Sequence, residues 1–470
     1  MTMQQVALIL TSLLAGACAA SGAARESVQE SVVAVVDVTV VPMDIERALP
    51  HHTVLIREGA IISVSPAASA IIPSTARRID GTGRYLIPGL TDAHVHLRDM
   101  SELLSYLAYG VTTVAHLSGP VGNVPNVPDL RDRIARGDVL GPRVLTSGLI
   151  IDGEPPIFAG VSTVVETPEQ ARQVVEAQID AGVDFIKVYN NLRTGSLREV
   201  VTAAHRKGVP VWGHIPRIDG RDTALQAALT AGMDVIAHGE ELFFTILYRD
   251  IEQQLDQGVV PSVDAASIAE SVRLVRQAGA AVIPNLSFVV MTRAQLDDIN
   301  GVRADRDARF LTQAVSDMWE QQNPTRRRDL PRFDLRERGK ASVLKTLTRA
   351  LNEAGVPLLL GTDAAAPGMY PGKSAHTELQ ALVDAGLTPY EALATGTRNA
   401  GSIIGKHVRS VAPFGTVAAG SRADLVLLEG NPLTDIRNVA AISGVFVNGA
   451  WFARATLDCL RAQQVGSRTR

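Results

Sequence analysis

Six segments of this chain repeat one arrangement: a glycine, a short apolar run, and a polar residue at its end. They are Gly110–His116, Gly182–Lys187, Gly208–His214, Gly232–His238, Gly279–Asn285 and Gly355–Asp363. A seventh, Tyr85–His96, lacks the leading glycine but ends in His94-Val95-His96. A glycine can end a helix in the left-handed conformation, and the apolar run that follows has the length of a buried strand. The polar tip then falls at the strand's C-terminal end. Repetition of this unit predicts an α/β chain whose core is a (β/α)8 TIM barrel, with its chemistry at those strand ends.

The intervening segments support alternating helices and strands. Thr167-Pro168-Glu169-Gln170 has Thr as N-cap, Pro at the first helical position and Gln as the capping-box partner; Thr388-Pro389-Tyr390-Glu391 repeats the device. Ser262–Ala278 carries Ile268, Val272 and Val275 at helical spacing and stops at Gly279. Arg143–Gly148 supplies the remaining strand of the eight. Both chain ends carry short β-type runs, among them Val33–Val41, Thr53–Ser63, Asp424–Leu428 and Ile442–Trp451, with an Asn448-Gly449 hairpin turn. Neither end has enough strands to bury a core alone. Residues 33–84 and 411–455 are therefore expected to build one small composite β-sandwich around a barrel of residues 85–410. Met291–Lys340 breaks the rhythm, being long and charged, with Arg326-Arg327-Arg328 and Arg332. It reads as a solvated helical insertion, or as a lid offering an arginine to an anionic substrate group.

The 470 residues carry a formal net charge of −4, which argues against nucleic acid as a partner because there is no basic excess to neutralise phosphates. Val6–Leu14 is apolar and Ala15–Ser21 is small, the pattern of a secretory signal peptide over residues 1–20. Export to the periplasm or the medium is expected, with a lipid-modified Cys18 as a variant of it. A small-molecule substrate and a homo-oligomeric state are the further expectations. The two cysteines, Cys18 and Cys459, say little about redox compartment.

Residues two apart on a strand share a face, so His94 and His96 are expected to point inward together. With His214, His238 and Asp363 at further strand tips, five groups able to bind metal converge on a desolvated mouth, where unpartnered polar groups are costly. Nitrogen and carboxylate ligands without cysteine suit zinc or a similar divalent ion. Lys187 is the odd member: a buried lysine has a lowered pKa, and a neutral amine can take up carbon dioxide to give an anionic carbamate.

These motifs resemble the amidohydrolase superfamily, and within it the imidazolonepropionase-like branch that includes binuclear zinc dipeptidases of the Xaa-Pro type. His94-Val95-His96, Ile186-Lys187-Val188-Tyr189, Trp212-Gly213-His214, Ala237-His238-Gly239, Gly361-Thr362-Asp363 and the tail Ala423–Leu427 with Gly430-Asn431-Pro432 match in order and context, over roughly residues 33–455. The resemblance implies that His94, His96 and Asp363 hold one metal, that His214 and His238 hold a second, and that carboxylated Lys187 bridges them. A plain Lys187 beside a single metal is the alternative. It further implies a metal-bridged hydroxide attacking an amide carbonyl, with metals about 3.5–4 Å apart and a water pKa lowered towards ~7. Asp363 would shuttle the proton and Tyr189 would donate to the developing oxyanion. His116 and His376 are candidates for substrate contact. The implied reaction is cleavage of a dipeptide or N-acyl amino acid. Hydrolysis of a cyclic amide, lactone or ester is the alternative, and metal binding without catalysis is a third reading.

Overall fold

A computed structural model describes residues 32–245, 248–408 and 412–468. The signal segment 1–20 and Cys18 lie outside the described residues. Strands near the start are β1 (Val33–Val40), β2 (Leu49–Arg57), β3 (Ala60–Pro66), β4 (Arg77–Asp80) and β5 (Tyr85–Pro88). Next come β6 (Leu90–Val95), β7 (Val111–His116), β8 (Arg143–Thr146), β9 (Ile150–Asp152), β10 (Ser162–Val164), β11 (Ile186–Val188), β12 (Val211–Gly213), β13 (Val235–Ala237) and β14 (Ala281–Ile283). The tail adds β15 (Leu425–Leu428), β16 (Ile442–Val447) and β17 (Ala450–Ala453).

Strands from both chain ends share one eight-stranded sheet, in the order β17-β16-β15-β5-β1-β2-β3, with β4 also paired to β1. A bridge from Ala60 to Arg422 and a 2.8 Å hydrogen bond from Ile61 N to Ser421 O bring its β3 edge back to the chain entering β15. The sheet thereby curls around a core that includes Val35, Val54, Ile56, Leu425 and Phe446. One expectation is corrected here. Tyr85–His96 is two strands, because the run breaks at Gly89, where a Cβ would stand 2.1 Å from Thr112 Oγ1. Its first half, β5, belongs to the sheet of the chain ends.

The remaining strands pair in parallel. β6-β7-β8 form one sheet and β10-β9-β11-β12-β13-β14 another. Asp184 N donates to Thr146 O at 2.8 Å, linking β8 to the segment entering β11. Parallel bridges join Val282 to Leu358 and Val95 to Ala364, so the links that leave β6 lead back to it. A side-chain cluster drawn from all these strands fills the enclosed space, with Ala93, Ala115, Leu145, Phe185, Trp212, Val235, Ile283 and Leu359 among its members. The six leading glycines of the repeated unit all have positive φ, between 70 and 95°, as the helix-stop reading requires.

The helix signals also hold. Pro168–Asp180 and Pro389–Gly396 both start on complete capping boxes. Met291–Lys340 is helical in large part, lying within the helices Leu286–Arg303, Gln313–Gln321 and Leu330–Glu353. Its arginines face neighbouring carboxylates: Arg326 pairs with Glu320, Arg327 with Asp329, and Arg332 with Glu252 and Asp256. None of these three is left to read a substrate anion.

Candidate metal centre

Period-two alternation carries Phe185 in the enclosed cluster to Lys187 and Tyr189 on the same face, and Trp212 to His214. Three tips depart from extended geometry. His238, Asn285 and Asp363 have φ of 77, 53 and 61°, an uncommon region for residues with a Cβ. Such outliers concentrate where the surrounding structure holds them for function.

The tips converge. His94 Nε2 lies 3.3 Å from His96 Nε2 and 3.5 Å from Asp363 Oδ1, while His96 Nε2 is 3.0 Å from the same oxygen. The His94 and His238 rings stand 4.4 Å apart, and His238 and His214 rings 4.7 Å apart. Ligand atoms of His94, His238 and Asp363 all fall within 4.8 Å of one another, close enough to share an ion. Burial pulls the His94, His214 and His238 pKa values below the ordinary range, so their imidazoles are neutral with lone pairs available at pH 7. For Asp363, burial raises the pKa, but the His96 hydrogen bond and nearby positive groups outweigh it and hold the carboxyl at about 2.

Lys187 is 1% exposed, and its Nζ has no hydrogen-bond partner. Burial lowers its pKa to about 7, against the opposing pull of Asp363 and Glu241. An orphaned amine among carboxylate and imidazole groups is the donor set a bound cation, or a modified lysine, would satisfy. Tyr189 lies over His214, with ring centroids 3.9 Å apart.

Residues outside the strand-tip reading orient these groups. Asn285, in the amide orientation that satisfies every partner, accepts from His238 Nδ1 at 2.7 Å and donates to the Gly361 and Thr362 carbonyls, each at 3.1 Å. That leaves His238 Nε2 as the free lone pair. Buried Asp92 accepts from Thr362 N at 3.0 Å and from Thr362 Oγ1 at 2.7 Å, tying the His94 strand to the Asp363 tip. Burial raises the Asp92 pKa to about 7. His96 Nδ1 contacts Ser118 Oγ at 2.9 Å. Glu241 is the residue the strand template missed. It receives Asn190 Nδ2, Ile215 N and Arg217 at 3.1, 3.0 and 2.7 Å. Its other oxygen lies 2.9 Å from His214 Nδ1. Glu241 sits on the short helix Glu240–Phe243 past the tip, where strand periodicity carries no signal.

Two expected substrate contacts are corrected. Ala115 and Leu117 belong to the enclosed cluster, so alternation turns His116 away from it. Leu97 N donates to His116 Nδ1 at 3.1 Å and His116 Nε2 donates to Gly119 O at 2.9 Å, which occupies both nitrogens. Burial holds this neutral ring's pKa near 3. His376 donates to the carbonyl of Tyr109 at 2.8 Å, beyond the opposite end of β7 from the tips. Tyr370 and Lys373, in the segment after Asp363, are bound to Val302 O and Asp305.

The chain matches the Amidohydrolase family over residues 85–452. It is 25% identical to the Imidazolonepropionase of Chromobacterium violaceum, across 81% of this chain and 86% of that protein. It is 23% identical to Adenine deaminase 1 of Latilactobacillus sakei, where the match spans 56% of this chain and 44% of that protein. Thus the chain spans less than half the length of that deaminase. The structure of a putative prolidase from Bifidobacterium longum superposes with a TM-score of 0.68 at 27% identity, covering 93% of this chain and 99% of that one.

Proposed function

We propose, from the fact that this chain belongs to the amidohydrolase family, that it is a metal-dependent hydrolase cleaving the amide bond of a dipeptide or N-acyl amino acid. The observation that carries this reading is the convergence of four histidines and Asp363 around a buried lysine whose amine has no partner. The substrate class draws its support from the prolidase-like structure. We read the returning series of parallel strands as a (β/α)8 barrel with its site at the C-terminal mouth.

His94, His96 and Asp363 would hold one divalent ion, and His214 and His238 a second, with carboxylated Lys187 between them; a nitrogen and carboxylate donor set suits zinc. Bound ions of this kind supply a water of lowered pKa and an electrophile for the scissile carbonyl. The chain's own residues do the rest. Asp363, ionised at neutral pH, accepts the water proton and returns it to the leaving nitrogen. The Tyr189 hydroxyl donates to the oxygen that gains charge; burial pushes its pKa up, so it stays protonated throughout the working range. Asn285 fixes the His238 tautomer, and Glu241 faces Nδ1 of His214.

Chelator dialysis is expected to abolish activity, and zinc, manganese or cobalt to restore it. Metal content measured beside a dipeptide library tests the reading directly. Metal-replete protein inert towards every C–N substrate would sink it, and opening of a lactone panel without dipeptide turnover would reassign the substrate. Glu241→Gln keeps the shape but removes the anion facing His214 and Arg217. It should lower metal affinity by about 10–100-fold, read by competition with a fluorescent chelator. Unchanged affinity would show that Glu241 does not orient a ligand.

A further inference from the structure

One flank of the centre is built by the loops after β9, β11 and β12, and several of their polar groups are committed to one another. Asn191 Nδ2 donates to Pro155 O at 2.7 Å, and Asn191 N to Asp152 Oδ1 at 2.8 Å. Arg193 pairs with Asp219 at 3.1 Å, and Arg217 with Glu241 at 2.7 Å. Beside these pairs, the loops leave large apolar side chains open to solvent. Ile157, Phe158 and Ile218 are 50, 47 and 46% exposed.

Single exposed apolar residues are ordinary on a protein surface. Here the placement is specific. The Phe158 ring packs edge-on against Tyr189, with centroids 5.5 Å apart, and Tyr189 in turn lies on His214. A continuous apolar contact therefore runs from solvent to the imidazole of a proposed ligand. Covering such surface with an apolar group removes it from water, and an aromatic group there can adopt edge or offset geometry with both rings.

We propose that Phe158, with Ile157, forms a specificity subsite that receives an apolar or aromatic side group of the substrate beside the scissile amide. The inference rests on the amide-hydrolase reading above and narrows its substrate class. A polar side group gains less at this flank, because Asn191, Arg193, Asp219 and Arg217 are already paired.

The test uses the metal-loaded protein and two matched series of dipeptides and N-acyl amino acids. One series carries Phe or Leu next to the amide, the other Ser or Gln. Wild type should favour the apolar series. Phe158→Ala should lower kcat/KM on that series by about 10-fold or more, chiefly through KM, and by less than about threefold on the polar one. Phe158→Leu should keep most of the apolar preference. Because Phe158 is half-exposed, both variants should keep the wild-type thermal midpoint. Equal losses on the two series, or a wild-type preference for polar groups, would overturn the subsite. Wild type inert on both series while fully metal-loaded would instead overturn the amide reading, and this inference with it.

Discussion

Asp363→Asn is expected to lower kcat/KM by roughly 10²–10⁴-fold, the range that general acid–base groups contribute. Asn keeps the size of the side chain and removes its charge and its ability to take a proton. Asp363 stands 3.0 Å from His96 Nε2 and 3.5 Å from His94 Nε2, and its backbone N–H is fixed by a 2.8 Å bond to His94 O. The tip should therefore hold its shape in the variant, so lost activity reports chemistry rather than misfolding. With the carboxyl pKa held near 2, Asp363 is ionised across the neutral range. Any loss of activity between about pH 5 and 7 must then come from protonation elsewhere in the centre, where Lys187 and Asp92 both have pKa values of about 7 while burial pulls His94, His214 and His238 below their ordinary range. A variant within about threefold of wild type on a substrate the wild type cleaves would remove Asp363 from the mechanism and assign the proton transfer to another group.

Lys187→Ala is expected to cost at least about 10²-fold in activity, at or beyond the upper end of what removing an orienting ligand partner costs. Added formate, acetate or propionate should restore part of it by occupying the vacated position. The folded state should survive. A buried amine without a hydrogen bond opposes folding, and its loss offsets the cavity left by the stem. Rescue with two metals per chain would support the carboxylated bridge. Loss without rescue, with one metal per chain, would favour the plain lysine and a single ion. No loss at all would show that Lys187 is not a ligand.

How far the site could be read in advance differed by residue. Lys187 and Tyr189 follow from alternation along β11 and His214 from alternation along β12, anchored by Phe185 and Trp212 in the enclosed cluster. His116 fitted the same template yet failed it, because its neighbours Ala115 and Leu117 hold the inward positions. The template marks where a strand ends but leaves open by one residue which face the end presents. His94 faces the centre even though Ala93 is the clustered neighbour, and pairing in β6 is irregular between Asp92 and Val95. That irregularity has no local sequence signal. Tyr85–His96 read as one strand although Pro88-Gly89, a turn signal, interrupts it. The crowding of Gly89 against Thr112 that divides it lies between segments.

The sequence by itself determined the alternation of strand and helix, the caps that start helices, the glycines that stop them and the residue types delivered to each strand end. These are short-range properties, set by steric limits on φ and by periods of 2 and 3.6 residues. Only the tertiary structure decided which delivered groups meet and what holds them. Asp92 reaches Thr362 across 270 residues of chain, and Asn285 joins His238 to the Gly361 and Thr362 carbonyls. Glu241 was recruited from a helix beyond its strand, while His376 and the arginines of the insertion were drawn to other partners. Such contacts depend on which strand lies beside which and in what register. That is settled when distant segments close on one another, and no local pattern records it.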